Sequence, residues 1–340
     1  MPEGPTLAEL GEAELIRRLG AFAPAGQFSD DAALLTLNAS GSMQPGGSLL
    51  VVNTDVLVED VHFSDATTGA TDVGWRAAAA NLSDLAAMGC QGTLGITVGL
   101  VAPGHTPWSW VEEAYAGMAA LVAAHGGVLL GGDCSGGSQR LLAITALGRL
   151  ESGRGGPIRR GDGRPGDLLV CTGVHGLSRL GLALLRQEAL PTISQDARSR
   201  AVAAHRRPRP RFDAVTALTA SRPSALPWRV AGCDSSDGLA EAAACLAVAS
   251  GCTALLDPER LPLAPELDGL AAGTAWCLWG GEDFELVLAL EPTWAEGLVE
   301  RLEGVRPIGR LTPPQPAGPL LWSTDGGAIR PPGGAFRHFG

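Results

Sequence analysis

The chain has 340 residues, of which 45% are hydrophobic and 18% are charged, as is typical of a compact globular protein. Its formal net charge of -11 argues against a general surface for nucleic acid or anionic membrane. It has no apolar run near the roughly 20 residues that span a bilayer, and no basic-then-apolar secretory signal. We therefore expect a cytoplasmic protein with neither a membrane nor a nucleic-acid partner.

The cysteine and lysine content excludes several further classes of protein. The seven cysteines are scattered without a CxxC pair, which indicates reduced thiols and argues against zinc. All 25 basic residues are arginine. A P-loop, a protein kinase and a Schiff-base enzyme each need a lysine, so these classes are excluded. If the chain binds nucleotide phosphate, the positive charge must come from metal ions and arginine.

Hydrophobic patterning of the first half predicts alternating helices and strands. Helices are predicted over residues 6–20, 74–88 and 107–125, and strands over residues 32–37, 49–52, 94–101, 128–130 and 141–147. A turn is expected over residues 41–47. The strand at 49–52 is expected to end at Asn53-Thr54-Asp55, and the strand at 128–130 to be broken by Gly131-Gly132-Asp133.

A glycine-rich linker over residues 153–166 predicts a domain boundary that divides the chain into residues 1–152 and 153–340. The second half is predicted to contain strands at 168–172, 253–256 and 284–290, helices at 176–185 and 239–250, an interrupted helix over 195–221 and a mostly irregular tail from 313 to 340. Strands and helices alternate in both halves, so each is predicted to be an α/β or α+β domain.

Acidic residues recur at the ends of apolar elements, beside Ser, Thr or Gly. They are Asp30-Asp31, Thr54-Asp55, Ser83-Asp84, Gly132-Asp133, Asp234 and Ser236-Asp237. Each alone is explained as a turn, a cap or a buried hydrogen bond. Together they favour a ligand site, because so many carboxylates in one cleft would repel one another unless hard cations were bound. The pattern predicts an enzyme that transfers or activates phosphate with several Mg²⁺ ions.

Four other positions have two interpretations each. Gly131-Gly132 lets main-chain amides approach a phosphate, or is a turn. His62 is a substrate contact, or an ordinary core or surface histidine. Arg159-Arg160 is a phosphate clamp, or a solvated pair. Glu282-Asp283 belongs to a functional polar turn, or only precedes the strand at 284–290.

Six motifs resemble those of thiamine-monophosphate kinase and occur in that family's order. They are SDDAA at 29–33, TDVLVEDVHF at 54–63, NLSDLAAMG at 81–89, GGD at 131–133, SDGL at 236–239 and GGEDFEL at 280–286. The resemblance implies two α/β domains of the aminoimidazole ribonucleotide synthetase-like fold: an N-terminal one that binds ATP and Mg²⁺, whose sheet pairs in a homodimer, and a C-terminal one. It also implies ATP-dependent phosphorylation of thiamine monophosphate to thiamine diphosphate.

The resemblance further implies roles for individual residues. The Mg²⁺ ligands would be Asp31, Asn53, Thr54, Asp55, Asp84, Asp133, Asp234 and Asp237. ATP would contact Tyr115, Gly132, Asp133, Arg160 and Ser236, and thiamine phosphate would contact His62, Glu282 and Phe336. The sequence departs from the family's pattern at Ser29, Asn53 and Cys134, where Gly, Ser and Thr are usual. These departures leave the acidic residues intact.

The expected chemistry is direct in-line transfer of the γ-phosphate, without a catalytic side chain, because the acceptor phosphate is already an anion. Two alternatives stay open. One is another ATP-dependent synthetase of the same superfamily. A selenophosphate synthetase would need a Cys and a Lys near its N-terminus, and the hydrogenase-maturation protein a C-terminal Cys; this sequence has none of these features. The other is a non-catalytic subunit that binds nucleotide without turnover.

Overall fold

A computed structural model describes residues 5–24, 26, 28–36, 49–150 and 155–331. Within these ranges the chain forms two sheets with helices packed against them. The first half contains α1 (Leu7–Leu10), α2 (Glu12–Leu19), β1 (Ala33–Thr36), β2 (Leu49–Val58), α3 (Ala70–Ala87), β3 (Gly95–Ala102), α4 (Trp108–Ala124), β4 (Val128–Gly136) and β5 (Leu141–Leu150).

The second half continues this alternation. It contains β6 (Leu168–Cys171), α5 (Leu177–Leu185), α6 (Gln195–Arg206), α7 (Phe212–Ser221), β7 (Ala231–Asp234), α8 (Leu239–Ala249), β8 (Thr253–Leu256), α9 (Gly273–Trp279), β9 (Leu286–Leu290), α10 (Pro292–Arg301), β10 (Arg306–Thr312) and β11 (Leu320–Trp322). Its sheet has the order β11-β8-β10-β6-β9-β7. The neighbours pair antiparallel except β8 and β11, which run parallel.

The strands of the first half form a mixed sheet in the order β1-β2-β5-β3-β4. Strands β3 and β4 are parallel and are connected through α4, while the other neighbours are antiparallel. Helices α3 and α4 cross closely at Gly74, where a Cβ atom would lie 1.8 Å from the carbonyl oxygen of Ala114. Glycine therefore lets the two helices approach each other.

Helix α3 lies between the two halves of the chain. It contacts β2 and β5 of the first sheet and β7 of the second. One hydrophobic core is shared by both halves: it includes Leu82 of α3, Ile144 of β5, Leu288 of β9 and Trp294 of α10. The predicted boundary between residues 152 and 153 falls outside the described residues, so the division into two domains stays a prediction.

The structure confirms the predicted alternation and corrects several boundaries. The helix predicted over 6–20 is two helices, because Gly11 interrupts it with φ of 70°. Strand β2 does not end at Asn53-Thr54-Asp55 but runs on to Val58, since β5 pairs with it along its whole length. Gly131-Gly132-Asp133 do not break β4, which pairs with β3 as far as Gly136.

Other differences lie in the connections and the second half. Helix α3 begins at Ala70, four residues before its predicted start, and the sequence did not predict β7, α9, α10, β10 or β11. The interrupted helix over 195–221 is confirmed as α6 and α7. The turn expected over residues 41–47 lies outside the described residues. Among the helices described here, none combines the length and hydrophobicity that crossing a membrane requires.

Candidate active site

Three carboxylates from distant parts of the sequence converge beside α3. Asp31 precedes β1, Asp84 lies on α3, and Asp234 ends β7. One oxygen atom from each of them lies within 4.8 Å of the other two. This acidic cluster, defined as Asp31, Asp84 and Asp234, therefore takes two members from the first half of the chain and one from the second.

Hydrogen bonds between β2 and α3 hold the Asp84 side of the acidic cluster. Asn53 and Asp55 lie on the same face of β2, because side chains alternate along a strand. The Asn53 amide donates to Oδ2 of Asp84 at 2.6 Å, and the main-chain N–H of Asp55 donates to Oδ1 of Asn81 at 3.1 Å. Asn81 and Asp84, three residues apart on α3, therefore both bond to β2.

Asp234 and Asp31 are held from other directions. The hydroxyl of Ser83 donates to Oδ2 of Asp234 at 2.6 Å, and the hydroxyl of Ser236 donates to Oδ1 at 2.9 Å. The guanidinium of Arg160 pairs with Asp31. The charge of Asp237 contributes to raising the pKa of Asp234, which places this fourth carboxylate nearby.

Burial and mutual repulsion perturb all three members of the acidic cluster. Burial raises the pKa of Asp31 to about 7, with the charge of Asp234 adding to the effect and Arg160 opposing it. Burial also raises the pKa of Asp84 well above its usual value, reinforced by the charges of Asp234, Asp55 and Asp31. Burial raises the pKa of Asp234 too. A bound cation would relieve this repulsion.

The donor atoms around the acidic cluster suit Mg²⁺. Among the described residues, Oδ2 of Asp31 and Oδ1 of Asn53 are buried without a hydrogen-bond partner. Buried acceptors are normally satisfied, and a bound cation would satisfy these two oxygen atoms. The surrounding donors are carboxylate and amide oxygens, which hard divalent cations prefer. The residues present therefore fit the metal that the sequence predicts.

A second set of predicted ATP-binding residues lies at the edge of the first sheet. Pairing places Asp133 in one row with Gly99, Ala143 and Val56, three strand spacings or about 14 Å from β2. This row lies on the face opposite to Asp55. Gly132 and Asp133 are both exposed on β4.

Two further predicted residues also lie outside the acidic cluster. The pKa of Tyr115 on α4 is raised by burial and by the neighbouring Cys134, which places Tyr115 beside β4. The Thr54 hydroxyl lies 2.8 Å from that of Thr145, on the exposed face of the sheet. A single chain thus does not bring the side chains of Thr54, Tyr115 and Asp133 into the acidic cluster, and their roles stay predictions.

His62 lies on a tight turn after β2. The main-chain N–H of Val58 donates to Nδ1 of His62 at 3.0 Å, so the neutral ring carries its proton on Nε2. The buried Arg140 anchors this turn by pairing with Glu59 and, at 2.9 Å, with Asp65. The bond to Nδ1 therefore fixes the orientation and the tautomer of the His62 ring.

The loop over residues 280–285 is bonded to the loop that follows β7. Glu282 donates its N–H to the carbonyl oxygen of Ser236 at 2.7 Å, and Glu285 donates its N–H to the Ser235 hydroxyl at 3.2 Å. Glu282 and Phe284 have φ of 58° and 52°, which non-glycine residues adopt only when their surroundings hold them. Glu282 is thereby fixed next to Ser236. Phe336 lies outside the described residues.

Three residues bond to the predicted site residues or to their loops, although the sequence did not indicate these contacts. Ser83 and Arg140 bond to site residues or their turn, as described above. His175 is fully buried, with Nε2 2.8 Å from the Ser235 hydroxyl, and burial lowers its pKa to about 4. His175 is 60 positions from its partner Ser235, and Ser83 is 151 positions from its partner Asp234. No local sequence motif can indicate contacts over such separations.

Residues 29–150 match the family model of the AIR synthase related protein N-terminal domain. The mixed sheet and the convergent carboxylates lie in or against this region. Together they define a protein of the AIR synthase related class.

Comparison with individual proteins narrows this class. The chain is 42% identical to thiamine-monophosphate kinase of Prochlorococcus marinus, over 98% of this chain and 97% of that protein. It is 46% identical to thiamine-monophosphate kinase of Synechococcus elongatus, over 90% of each. A solved structure described as AaThiL complexed with AMPPCP and TMP is similar, with a TM-score of 0.83, 27% identity and coverage of 99% of this chain and 100% of that chain. The chain belongs to the thiamine-monophosphate kinase family and is an enzyme; the predicted family and α/β fold are confirmed.

Proposed function

We propose that this protein transfers the γ-phosphate of ATP to thiamine monophosphate and forms thiamine diphosphate and ADP. Family membership and the similarity to AaThiL, solved with AMPPCP and TMP, support this reaction. The observation that carries it is the placement of the acidic cluster beside the Ser236 loop, which is bonded directly to the Glu282 loop. A metal and phosphate site thus adjoins the predicted acceptor site.

The residues of the acidic cluster, together with Asn53, Asp55 and Asp237, would hold several Mg²⁺ ions, with Thr54 and Asp133 as further predicted ligands. When bound, these ions would supply the positive charge that lets two anionic phosphate groups approach each other. The sequence contains no lysine, which agrees with a role for metal ions in neutralising the phosphate charge.

The protein's own side chains would bind and orient the two substrates. Arg160 and Ser236 would contact ATP, while His62 through Nε2–H and Glu282 through its carboxylate would contact thiamine phosphate, as would Phe336. A terminal oxygen of the acceptor phosphate forms a bond to the γ-phosphorus, and the bond from that phosphorus to the β,γ-bridging oxygen breaks, leaving ADP. The attacking oxygen is already anionic, so no general base is required.

The proposal includes a cytoplasmic homodimer. Among the described residues, β4 pairs with β3 on one side only, and its Val128 and Leu130 are 60% and 52% exposed. An exposed apolar edge strand is a surface that pairs readily with another chain. Because Gly132 and Asp133 lie on β4, pairing there would enclose this predicted part of the ATP site.

Incubation of the purified protein with ATP, Mg²⁺ and thiamine monophosphate tests the reaction. We expect thiamine diphosphate and ADP in equal amounts, and no product when Mg²⁺ is replaced by EDTA. ATP binding without turnover would instead support a non-catalytic subunit. Accumulation of a phosphorylated protein that passes its phosphate to thiamine monophosphate would contradict direct transfer.

A further inference from the structure

Arg76 is a buried arginine on α3 that has no role in the reaction proposed above. Its guanidinium pairs with Glu282, which follows 206 positions later in the sequence. The side chain of Arg76 is 4% exposed, whereas that of Glu282 is 35% exposed. The Glu282 carboxylate therefore has an inner side that contacts Arg76 and an outer side that is open to a ligand.

His205 completes the inner side of Glu282. Its Nδ1 atom lies 3.4 Å from Oε2 of Glu282 and 3.1 Å from the hydroxyl of Ser178. Burial, assisted by the charge of Arg76, lowers the pKa of His205 to about 4, so this ring is neutral at pH 7. The positive charge in direct contact with Glu282 is therefore that of Arg76.

The Arg76–Glu282 pair is poorly explained as a device for stability alone. Nη1 of Arg76 is buried and has no hydrogen-bond partner among the described residues. A buried donor left in this state is costly, and buried ion pairs contribute little net stability. The pair instead fixes one carboxylate in a loop whose backbone is already held in an uncommon conformation at Glu282 and Phe284.

Helix α3 relates this pair to the acidic cluster. Arg76 lies eight residues before Asp84, which corresponds to about 12 Å along the helix axis. The helix is almost entirely buried, so it is a rigid support. The same helix therefore sets the position of Asp84 directly and that of Glu282 through Arg76.

We propose, on the basis of the function proposed above, that Arg76 is a positioning residue for the acceptor substrate. It fixes the Glu282 carboxylate in one orientation, so that its outer side receives the heterocyclic part of thiamine phosphate, which combines a cationic thiazolium ring with an aminopyrimidine ring. A carboxylate that is already oriented loses less conformational freedom on binding than a mobile one. Placing the heterocycle also places the attached phosphate relative to Asp84.

Kinetics of Arg76→Met and Arg76→Lys test this role. For Arg76→Met we expect KM for thiamine phosphate to rise about 10-fold or more, and KM for ATP to change less than about 2-fold. Arg76→Lys keeps the charge without the planar fork, so an intermediate rise is expected. The control is Arg200→Met, which removes the 2.6 Å pair between Arg200 of α6 and Glu266 and should leave both KM values unchanged.

A double-mutant comparison shows whether Arg76 acts through Glu282. Adding Arg76→Met to Glu282→Gln should cause little further rise in KM, because the positioned carboxylate is already lost. Effects that multiply in the double variant would overturn the proposal, as would an unchanged KM for thiamine phosphate in Arg76→Met. If Arg76→Met does not fold, Arg76→Lys decides: a KM equal to that of the unmodified protein overturns the proposal.

Calorimetric titration of thiamine phosphate into the unmodified protein and Arg76→Lys separates this proposal from the proposed reaction. Weaker binding by the variant supports the positioning role even if no thiamine diphosphate is formed. Equal binding by both proteins overturns the role of Arg76 and leaves the proposed reaction standing. Failure of the unmodified protein to bind thiamine phosphate would overturn both.

Discussion

Ser83 on α3 donates a 2.6 Å hydrogen bond to Oδ2 of Asp234, which lies 151 positions later at the end of β7. Both residues are buried. Oδ1 of Asp234 receives the Ser236 hydroxyl instead, so the two oxygen atoms have different partners. A neutral hydroxyl from one half of the chain thus orients a carboxylate from the other half.

Replacing Ser83 with Ala should weaken the binding of metal ions. A buried charged acceptor that loses a partner costs about 1–3 kcal/mol, so we expect a lower melting temperature and a several-fold higher Mg²⁺ concentration for half-maximal activity. Ser221→Ala is the control, since that hydroxyl donates to the carbonyl of Leu218 within α7 and bonds to no other residue in the described part of the chain. A lower melting temperature with an unchanged Mg²⁺ requirement would mean that the bond is purely structural.

Asp84→Asn should lower activity and raise stability in the absence of metal. The amide cannot supply the negative charge that balances a cation, so we expect kcat to fall by about 100-fold or more. Without Mg²⁺, the same change removes a carboxylate that burial and three neighbouring carboxylates disfavour. Calorimetry in EDTA at pH 8 should therefore show a higher melting temperature than for the unmodified protein. A folded, fully active variant would contradict the metal site.

Stability without metal should fall as pH rises. Asp31 has a pKa of about 7 in the folded protein, above its usual 3.8, so the folded state binds its proton more tightly. The stabilisation is therefore fully present below pH 4 and is lost as pH rises through 7. In EDTA, Asp31→Asn should lose less melting temperature between pH 5 and pH 8 than the unmodified protein. Mg²⁺ should stabilise the unmodified protein more at pH 8 than at pH 5, and the opposite order would contradict this linkage.

Gly132→Ala should disturb the edge of the first sheet. A Cβ atom at this position would lie 1.9 Å from the carbonyl oxygen of Val98 on β3, so the strands must separate locally. We expect a lower melting temperature and a higher KM for ATP. Gly136→Ala is a matched control on the same strand, because a Cβ atom there meets nothing within 4 Å. Equal effects of the two substitutions would show that the close approach of Gly132 to Val98 is not the cause.

His62→Gln should affect binding of the acceptor more than phosphate transfer. The turn holds His62 through Nδ1, so Nε2–H is the donor that a substrate would meet. We expect KM for thiamine phosphate to rise about 10-fold while kcat changes less than about 3-fold. Loss of kcat with KM unchanged would instead show that His62 stabilises the transition state.

In the first half, local sequence patterns predicted which helices and strands exist better than they predicted where these elements end. Asn53, Thr54 and Asp55 have the composition of a strand end, yet β5 supplies hydrogen-bond partners that extend β2 to Val58. Likewise Gly131 and Gly132 are poor strand formers, but pairing with β3 keeps them in β4. Tertiary pairing thus overrides local propensity at both places.

The acidic residues of the candidate site were predictable because charged side chains recur beside apolar segments that are expected to be buried. The recurrence of acidic residues at the ends of apolar elements predicted that Asp31, Asp84 and Asp234 share one site, and the structure places these three carboxylates together. The hydrogen bond from Ser83 and the pair between Arg76 and Glu282 were not predictable, because they join residues 151 and 206 positions apart. Face and spacing on a helix show that a polar group needs a partner, but not which distant loop supplies it.

The acidic cluster also has a mechanical consequence, because its members come from both halves of the chain. A divalent ion seated among Asp31, Asp84 and Asp234 would act as a removable cross-link across the interface that α3 occupies. Because one hydrophobic core also joins the two halves, removal of the ion by a chelator would weaken the contact between them without separating them.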